Sequence, residues 1–324
     1  MSSSEEPTIV AQLVAAPPDL TGIAHPQGTD LTPAQEAAAA AVVAHFSAEG
    51  YALPGAAEGA GALREEERFW LTYECVLRYC RATKWDGAQK AIRRLEETLL
   101  WRREFGVYDE RTSAAHVEPE AVTGKEVAYG YDVQGRPALY LCPSRQNTAE
   151  TVRQVEFVVF MLERCLDLMG PGVESLALMI DYGQKAAKSP SISQSRAVLH
   201  ILQAHYPERL GRALIINVPW MLNAFYKLIT PLVDPVTRDK MRFNPKAVQD
   251  GLFARDAVWR EFGGAVEFQY EHKTYWPAFV QLAEERRARM MERWRELGAR
   301  IGLREWEMKD GRTEAKDAPE AVAP

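Results

Sequence analysis

Gly130 and Gly135 stand at the spacing of a phosphate-cradling loop, which a following Lys-Ser or Lys-Thr would complete. Arg136-Pro137 occupies that place instead, and the motif fails. Asp132-Val-Gln-Gly135-Arg-Pro137 reads better as a turn between two strands, with Asp and Gly where a tight turn needs them. His200 and His205 are five residues apart, on different faces of a helix, which argues against a shared metal. Cys75, Cys80, Cys142 and Cys165 form no C-x-x-C pair and have no matching histidine spacing; they read as buried thiols of a reducing compartment. Neither a G-x-S-x-G elbow nor an H-E-x-x-H pair occurs. With no nucleophile, base and oxyanion set, and no metal or cofactor implied, the sequence does not read as an enzyme.

The most informative stretch runs from Tyr206-Pro-Glu-Arg-Leu-Gly211 through Trp220 and Phe225 to Asp234-Pro-Val-Thr-Arg-Asp-Lys240. At helical periodicity Asn223, Tyr226, Lys227 and Thr230 fall on one side. Trp220, Met221, Leu222, Ala224, Phe225, Leu228, Ile229 and Leu232 fill the remaining arc. Two readings fit that pattern. One is a helix buried against its own core; the other is a lid that covers a ligand cavity and can turn toward lipid, as Trp220 and Phe225 would suit. The window from Ala213 to Val233 does not read as a membrane span, because Asn217, Pro219, Asn223, Lys227, Thr230 and Pro231 interrupt it.

The elements that must position these residues fall into two textures. Residues 1 to about 31 have no periodicity and read as a mobile leader, before Thr32-Pro33 opens an Ala-rich helix to about Phe46. From Arg64 to Phe105 the pattern is helical, split near Asp86-Gly87. Beyond Val127, apolar runs at Ala138–Cys142, Leu176–Ile180 and Ala213–Val218 alternate with helical stretches at Val152–Met169 and Ser195–Gln203. That alternation predicts an α/β lobe with a mixed, largely parallel sheet covered by helices. A long charged helix is expected from about Pro277 to Arg300, and a disordered tail from Lys309 to Pro324. The expected organisation is a leader with one helix over 1–60, a helical N-lobe over 61–115, an α/β lobe over 120–272, and a C-terminal helix and tail over 273–324. The chain has 324 residues and a formal net charge of -6, an acidic balance that argues against nucleic acid as a partner. Met1-Ser-Ser-Ser-Glu-Glu lacks the basic start of a secretory signal, so a soluble, cytoplasmic protein is expected.

Taken together and in order, the motifs resemble the CRAL-TRIO family, specifically its fungal phosphatidylinositol-transfer branch. The resemblance covers roughly residues 64 to 272. It rests on Leu77-Arg-Tyr-Cys-Arg-Ala-Thr-Lys-Trp-Asp86, Leu100-Trp-Arg-Arg-Glu-Phe-Gly106, Asp132–Pro137, Tyr206–Gly211, Asp234-Pro-Val-Thr237 and Glu261-Phe-Gly-Gly264. It implies a helical N-lobe packed on an α/β lobe, with a lipid-sized apolar pocket behind a gating helix that includes Trp220, Met221, Phe225, Leu228, Ile229 and Leu232. It also implies that Lys84, Glu208, Thr237 and Lys240 hold a phosphatidylinositol headgroup. That chemistry is sensible alone: two ammonium groups for a phosphodiester, a hydroxyl donor, and a carboxylate for inositol hydroxyls. The alternatives are plain too. Lys84 and Lys240 can be solvated surface charges, and Glu208 can pair with Arg209 or Arg212. Where many members carry Arg-Lys before the aromatic-Asp pair, this chain has Thr83-Lys84, one cation fewer near the phosphate.

The implied function is binding and exchange of one lipid between membranes, with transient docking on a membrane surface. The second reading is a carrier of a different apolar ligand, such as a sterol, a tocopherol-like isoprenoid or phosphatidylcholine. The identity of any second apolar lipid exchanged with phosphatidylinositol is open. A regulatory scaffold that binds a protein is the third reading; no protein partner is specified by the residues. Its support is the charged run Glu284–Arg295, a pattern more often found on a solvated face. Exposing two acyl chains to water costs roughly 25 kcal/mol at about 0.8 kcal/mol per methylene, which is why a carrier needs a lid.

Overall fold

Thr32 begins the first helix by a reciprocal cap: its hydroxyl accepts from the Gln35 N–H, and the Gln35 side chain accepts from the Thr32 N–H. The structure is a computed structural model that describes residues 31–183, 191–218 and 238–309. The expected leader before Leu31 and the tail beyond Lys309 lie outside the described residues. Helix α1 (Pro33–Ser47) buries Ala39, Val42 and Phe46, a stripe at three- and four-residue spacing. Helices α2 (Glu65–Trp70), α3 (Tyr73–Ala82) and α4 (Ala88–Phe105) follow. Leu71, Cys75, Val76, Leu95 and Leu99 join the α1 stripe in one apolar core. The split near Asp86-Gly87 lies where the sequence predicts it. A second break, at Leu71-Thr72, has a long-range cause: the Gly302 N–H donates to the Leu71 carbonyl (2.8 Å) and the Tyr73 N–H to the Leu303 carbonyl (3.0 Å). Thr72 then caps α3 by accepting from the Cys75 N–H.

Helix α5 (Ala114–Ala121) leads into a five-stranded sheet, in spatial order β1 (Glu126–Tyr131), β2 (Pro137–Leu141), β3 (Leu176–Asp181), β4 (Leu210–Ile216) and β5 (Met241–Phe243). The first pair is antiparallel and all the others are parallel, the mixed, largely parallel α/β architecture expected. Asp132 makes the β1–β2 turn by accepting from the Gln134 and Arg136 N–H groups, while Gly135 takes a left-handed φ of 72°. Helices α6 (Val152–Asp167) and α7 (Ile192–His205) make the β2–β3 and β3–β4 crossovers.

The two sheet faces differ. Tyr140, Met179 and Leu214 lie in register on one face and are fully buried. On the other, Leu141, Ile180, Ile215 and Phe243 form a row across four strands. Leu141 and Ile180 are only partly buried, and Phe243 is 49% exposed. The charged helix α8 (His272–Glu296) starts before Pro277 because its first turns are anchored: the Tyr275 hydroxyl accepts from the Ala128 N–H (2.8 Å) and donates to the Ala128 carbonyl (2.9 Å). That contact also closes the outer edge of β1. A short helix α9 (Glu305–Lys309) ends the described chain.

Candidate headgroup site

Tyr206, which opens the Tyr-Pro-Glu-Arg run directly after α7, is fixed by a buried relay. Its hydroxyl donates to Glu163 of α6 (2.7 Å), and Glu163 takes both terminal nitrogens of Arg102 from α4 (2.9 and 3.1 Å). Burial alone would raise the Glu163 carboxyl, but the adjacent Arg102 guanidinium and the hydrogen bonds from Arg102 and Tyr206 bring it down to about 2. Trp101 stacks on His205 at 4.2 Å, and the Tyr79 hydroxyl donates to the His205 carbonyl (2.9 Å). Burial, helped by His200 and Arg94, pushes the His205 imidazole down to about 4. The Leu100-Trp-Arg-Arg and Tyr-Pro-Glu-Arg motifs are thus two sides of one lobe junction.

That junction sets Glu208 at the entry to β4. Glu208 takes a left-handed φ of 59° and accepts from Arg81 Nε at 2.5 Å, a residue in the last turn of α3. Arg81 also faces Glu174 at 3.4 Å, and Glu174 is held more closely by Arg78 (2.6 Å). Arg78 reaches Glu305 of α9 at 3.0 Å. The Glu305 carboxyl, which burial alone would raise, lies well below its usual range because Lys309, Arg78 and Arg209 surround it. A chain of ion pairs therefore runs from the N-lobe through the start of β4 to α9.

The partners that the sequence offers Glu208 are turned elsewhere. Arg209 donates to the Glu174 carbonyl (2.8 Å), and Arg212 pairs with Asp132 (3.0 Å). Arg81 was missed because it is 127 positions away from Glu208, and only the fold brings the two together. Lys240 precedes β5 and donates from Nζ to the Leu210 carbonyl (2.7 Å), two residues beyond Glu208. Lys84 is exposed, with a left-handed φ of 56°, and its N–H donates to the Arg81 carbonyl (2.8 Å). Glu208 and Lys240 thus lie at the entry to β4, the first on Arg81 and the second on the Leu210 carbonyl, while Lys84 is joined to Arg81 only by a backbone turn bond. Thr237 and the expected gate positions Trp220, Met221, Phe225, Leu228, Ile229 and Leu232 lie outside the described residues.

Thr83 has its hydroxyl turned into the end of α3, donating to the Tyr79 and Cys80 carbonyls (3.0 Å each). All four cysteines are buried free thiols. Among the described residues no group of three or more His, Cys, Asp or Glu is arranged to hold a metal, and no helix is long and apolar enough to cross a membrane. The charged run of α8 is largely engaged within the chain. Arg286 donates to the Leu168 carbonyl (3.0 Å), Arg287 pairs with Asp167 (3.5 Å), and Arg295 with Glu65 (2.7 Å).

The CRAL/TRIO domain profile matches residues 121–264, and the CRAL/TRIO N-terminal domain profile matches residues 38–97. A CRAL-TRIO domain-containing protein of Schizosaccharomyces pombe is 48% identical over 250 residues, which are 77% of this chain and 24% of that protein. This chain therefore spans about a quarter of that relative's length. The phosphatidylinositol transfer protein PDR17 of Saccharomyces cerevisiae is 36% identical over 296 residues, covering 85% of this chain and 83% of PDR17. The crystal structure of Sfh5 superimposes with a TM-score of 0.53 at 17% identity, over 81% of this chain and 99% of Sfh5, a likeness of fold.

Proposed function

The chain belongs to the CRAL-TRIO family of lipid-binding and lipid-transfer proteins, in its fungal phosphatidylinositol-transfer branch, and on that premise we propose that it binds phosphatidylinositol and exchanges it between membranes. The observation that supports the reading is that Glu208 and Lys240 both gather at the entry to β4, Glu208 on Arg81, which is three residues before Lys84, and Lys240 on the Leu210 carbonyl. A carboxylate there accepts from inositol hydroxyls, and the ammonium groups of Lys84 and Lys240 offset the phosphodiester. Thr237 adds a hydroxyl donor in this reading. The incompletely buried row of Leu141, Ile180 and Phe243 supports an acyl-chain floor on the same lobe. The engagement of Arg286, Arg287 and Arg295 within the chain favours lipid carriage over the scaffold reading of α8.

Transfer of labelled phosphatidylinositol between vesicles tests this. Lys240→Ala and Glu208→Gln should each slow transfer roughly tenfold, the scale of one charge-assisted bond, with circular dichroism unchanged. Parental rates in both folded variants would refute the headgroup assignment. Mass spectrometry of co-purified lipid identifies the second, apolar ligand in the same preparation.

A further inference from the structure

The headgroup reading gives the phosphodiester two ammonium groups and no guanidinium. Thr83 offers no substitute donor, since its hydroxyl is directed to the Tyr79 and Cys80 carbonyls. One guanidinium nevertheless reaches the same place. Arg81 is two residues earlier, in the last turn of α3, and its Nε is 2.5 Å from Glu208. Its Nη2 makes only a long contact with Glu174 (3.4 Å), whose closer partner is Arg78 (2.6 Å). Its Nη1 makes no hydrogen bond among the described residues, and its side chain keeps a fifth of its surface accessible beside the one-third-exposed Glu208. A guanidinium in that state has donors to spare on one edge while the other holds the carboxylate.

Resting on the phosphatidylinositol reading, we infer that Arg81 is a headgroup-binding residue: its Nη edge takes the phosphodiester while its Nε stays on Glu208. An inositol held on Glu208 through a hydroxyl vicinal to its phosphate brings that phosphate within the span of a planar fork. The residue thereby adds a planar fork to the two ammonium groups, and it sets headgroup specificity because a lipid lacking phosphate leaves its free edge unused.

The test compares full-length variants for vesicle transfer of phosphatidylinositol and of diacylglycerol with the same acyl chains. Arg81→Gln should lower phosphatidylinositol transfer roughly ten- to hundredfold, one charge-assisted contact, and leave diacylglycerol transfer near parental. Thr83→Arg placed in the Arg81→Gln background should recover much of the loss, a rescue that a purely structural tie would not show. Glu174→Gln, which weakens the same ion-pair chain away from the headgroup, should change thermal stability and leave the lipid preference intact. If Arg81→Gln does not fold, Arg81→Lys, which keeps a charge for Glu208 and loses the fork, carries the same comparison. Failure of the parental chain to transfer phosphatidylinositol overturns the functional reading itself. Parental transfer with an unchanged lipid preference in the Arg81 variants, or an equal loss for both lipids, overturns the role of Arg81 alone.

Discussion

Arg102 and Glu163 are held out of water together, and each is tolerable there only because of the other. The pair does more than cancel charge: Glu163 also accepts from Tyr206, so one carboxylate ties α4, α6 and the run that leads to Glu208. Glu163→Gln should therefore destabilise the fold by about 3 kcal/mol, since a guanidinium is left buried beside a neutral amide. Urea denaturation measures this, and the double variant Arg102→Met with Glu163→Leu should recover a good part of the loss. A neutral Glu163→Gln would mean that this pair is not what fixes the lobe junction. At this scale the sequence is only half legible. Lys84, Glu208 and Lys240 can be named from motifs, whereas the pairings of Arg81 with Glu208 and of Arg78 with Glu174 and Glu305 cannot, because those partners are more than ninety positions apart. Charge adjacent in sequence misleads here: Arg209 and Arg212 flank Glu208 and serve Glu174 and Asp132 instead.

Elements whose signals are local stand where the sequence predicts them: the helix start at Thr32-Pro33, the break before Ala88, the Asp132 turn, and strands β2 and β3. Strand β4 starts three residues before the expected Ala213 and ends at Ile216. The break between α2 and α3 escapes, because the helical pattern runs through it and hydrogen bonds from Gly302 and to Leu303 impose it. Contacts between elements also set the acid response. His205 closes α7 against Trp101 of α4, and burial holds it near 4 against about 6.5 in an unfolded chain. Between those values the unfolded state binds more protons at this residue, so the contribution of His205 to stability rises with pH across the window and is lost as pH falls from 6.5 through 4. It works against an opposite contribution from Glu126, which burial raises to about 8. Glu163, at about 2 when folded, adds a separate loss below about 4.5 for the same reason. Thermal melts from pH 7 to 3 should show both. His205→Gln should flatten the upper part of the curve and leave the lower part; an unaltered slope between 6.5 and 4 would show that another group controls it.

For the molecule as a whole, the entry to β4 and the exit from β4 are different places with different tasks. Glu208 and Lys240 gather where β4 begins, while the chain leaves the sheet at Ile216 and re-enters it at Met241, in register with Ala213. The intervening run from Trp220 to Leu232, whose sequence reads as a gate, is where headgroup selection would be coupled to membrane docking. Its apolar arc predicts that an open gate presents Phe225, Leu228 and Leu232 to the interface, each contributing about 1.5–3 kcal/mol on full burial. Phe225→Asp should remove that gain and add a desolvation cost in lipid. The same charge would face the ligand in the closed state, so membrane binding, transfer and lipid retention should all fall. Lys227→Glu, on the opposite arc, should weaken only docking to anionic vesicles, and added salt should shrink the difference from the parental chain. Vesicle sedimentation and transfer assays on both variants, with circular dichroism as the folding control, separate a gate from a buried helix. A buried helix would make Phe225→Asp unfold the lobe and leave Lys227→Glu without effect on docking. A folded Phe225→Asp that transfers lipid normally would remove this segment from the mechanism and leave the headgroup residues at β4 to account for exchange alone.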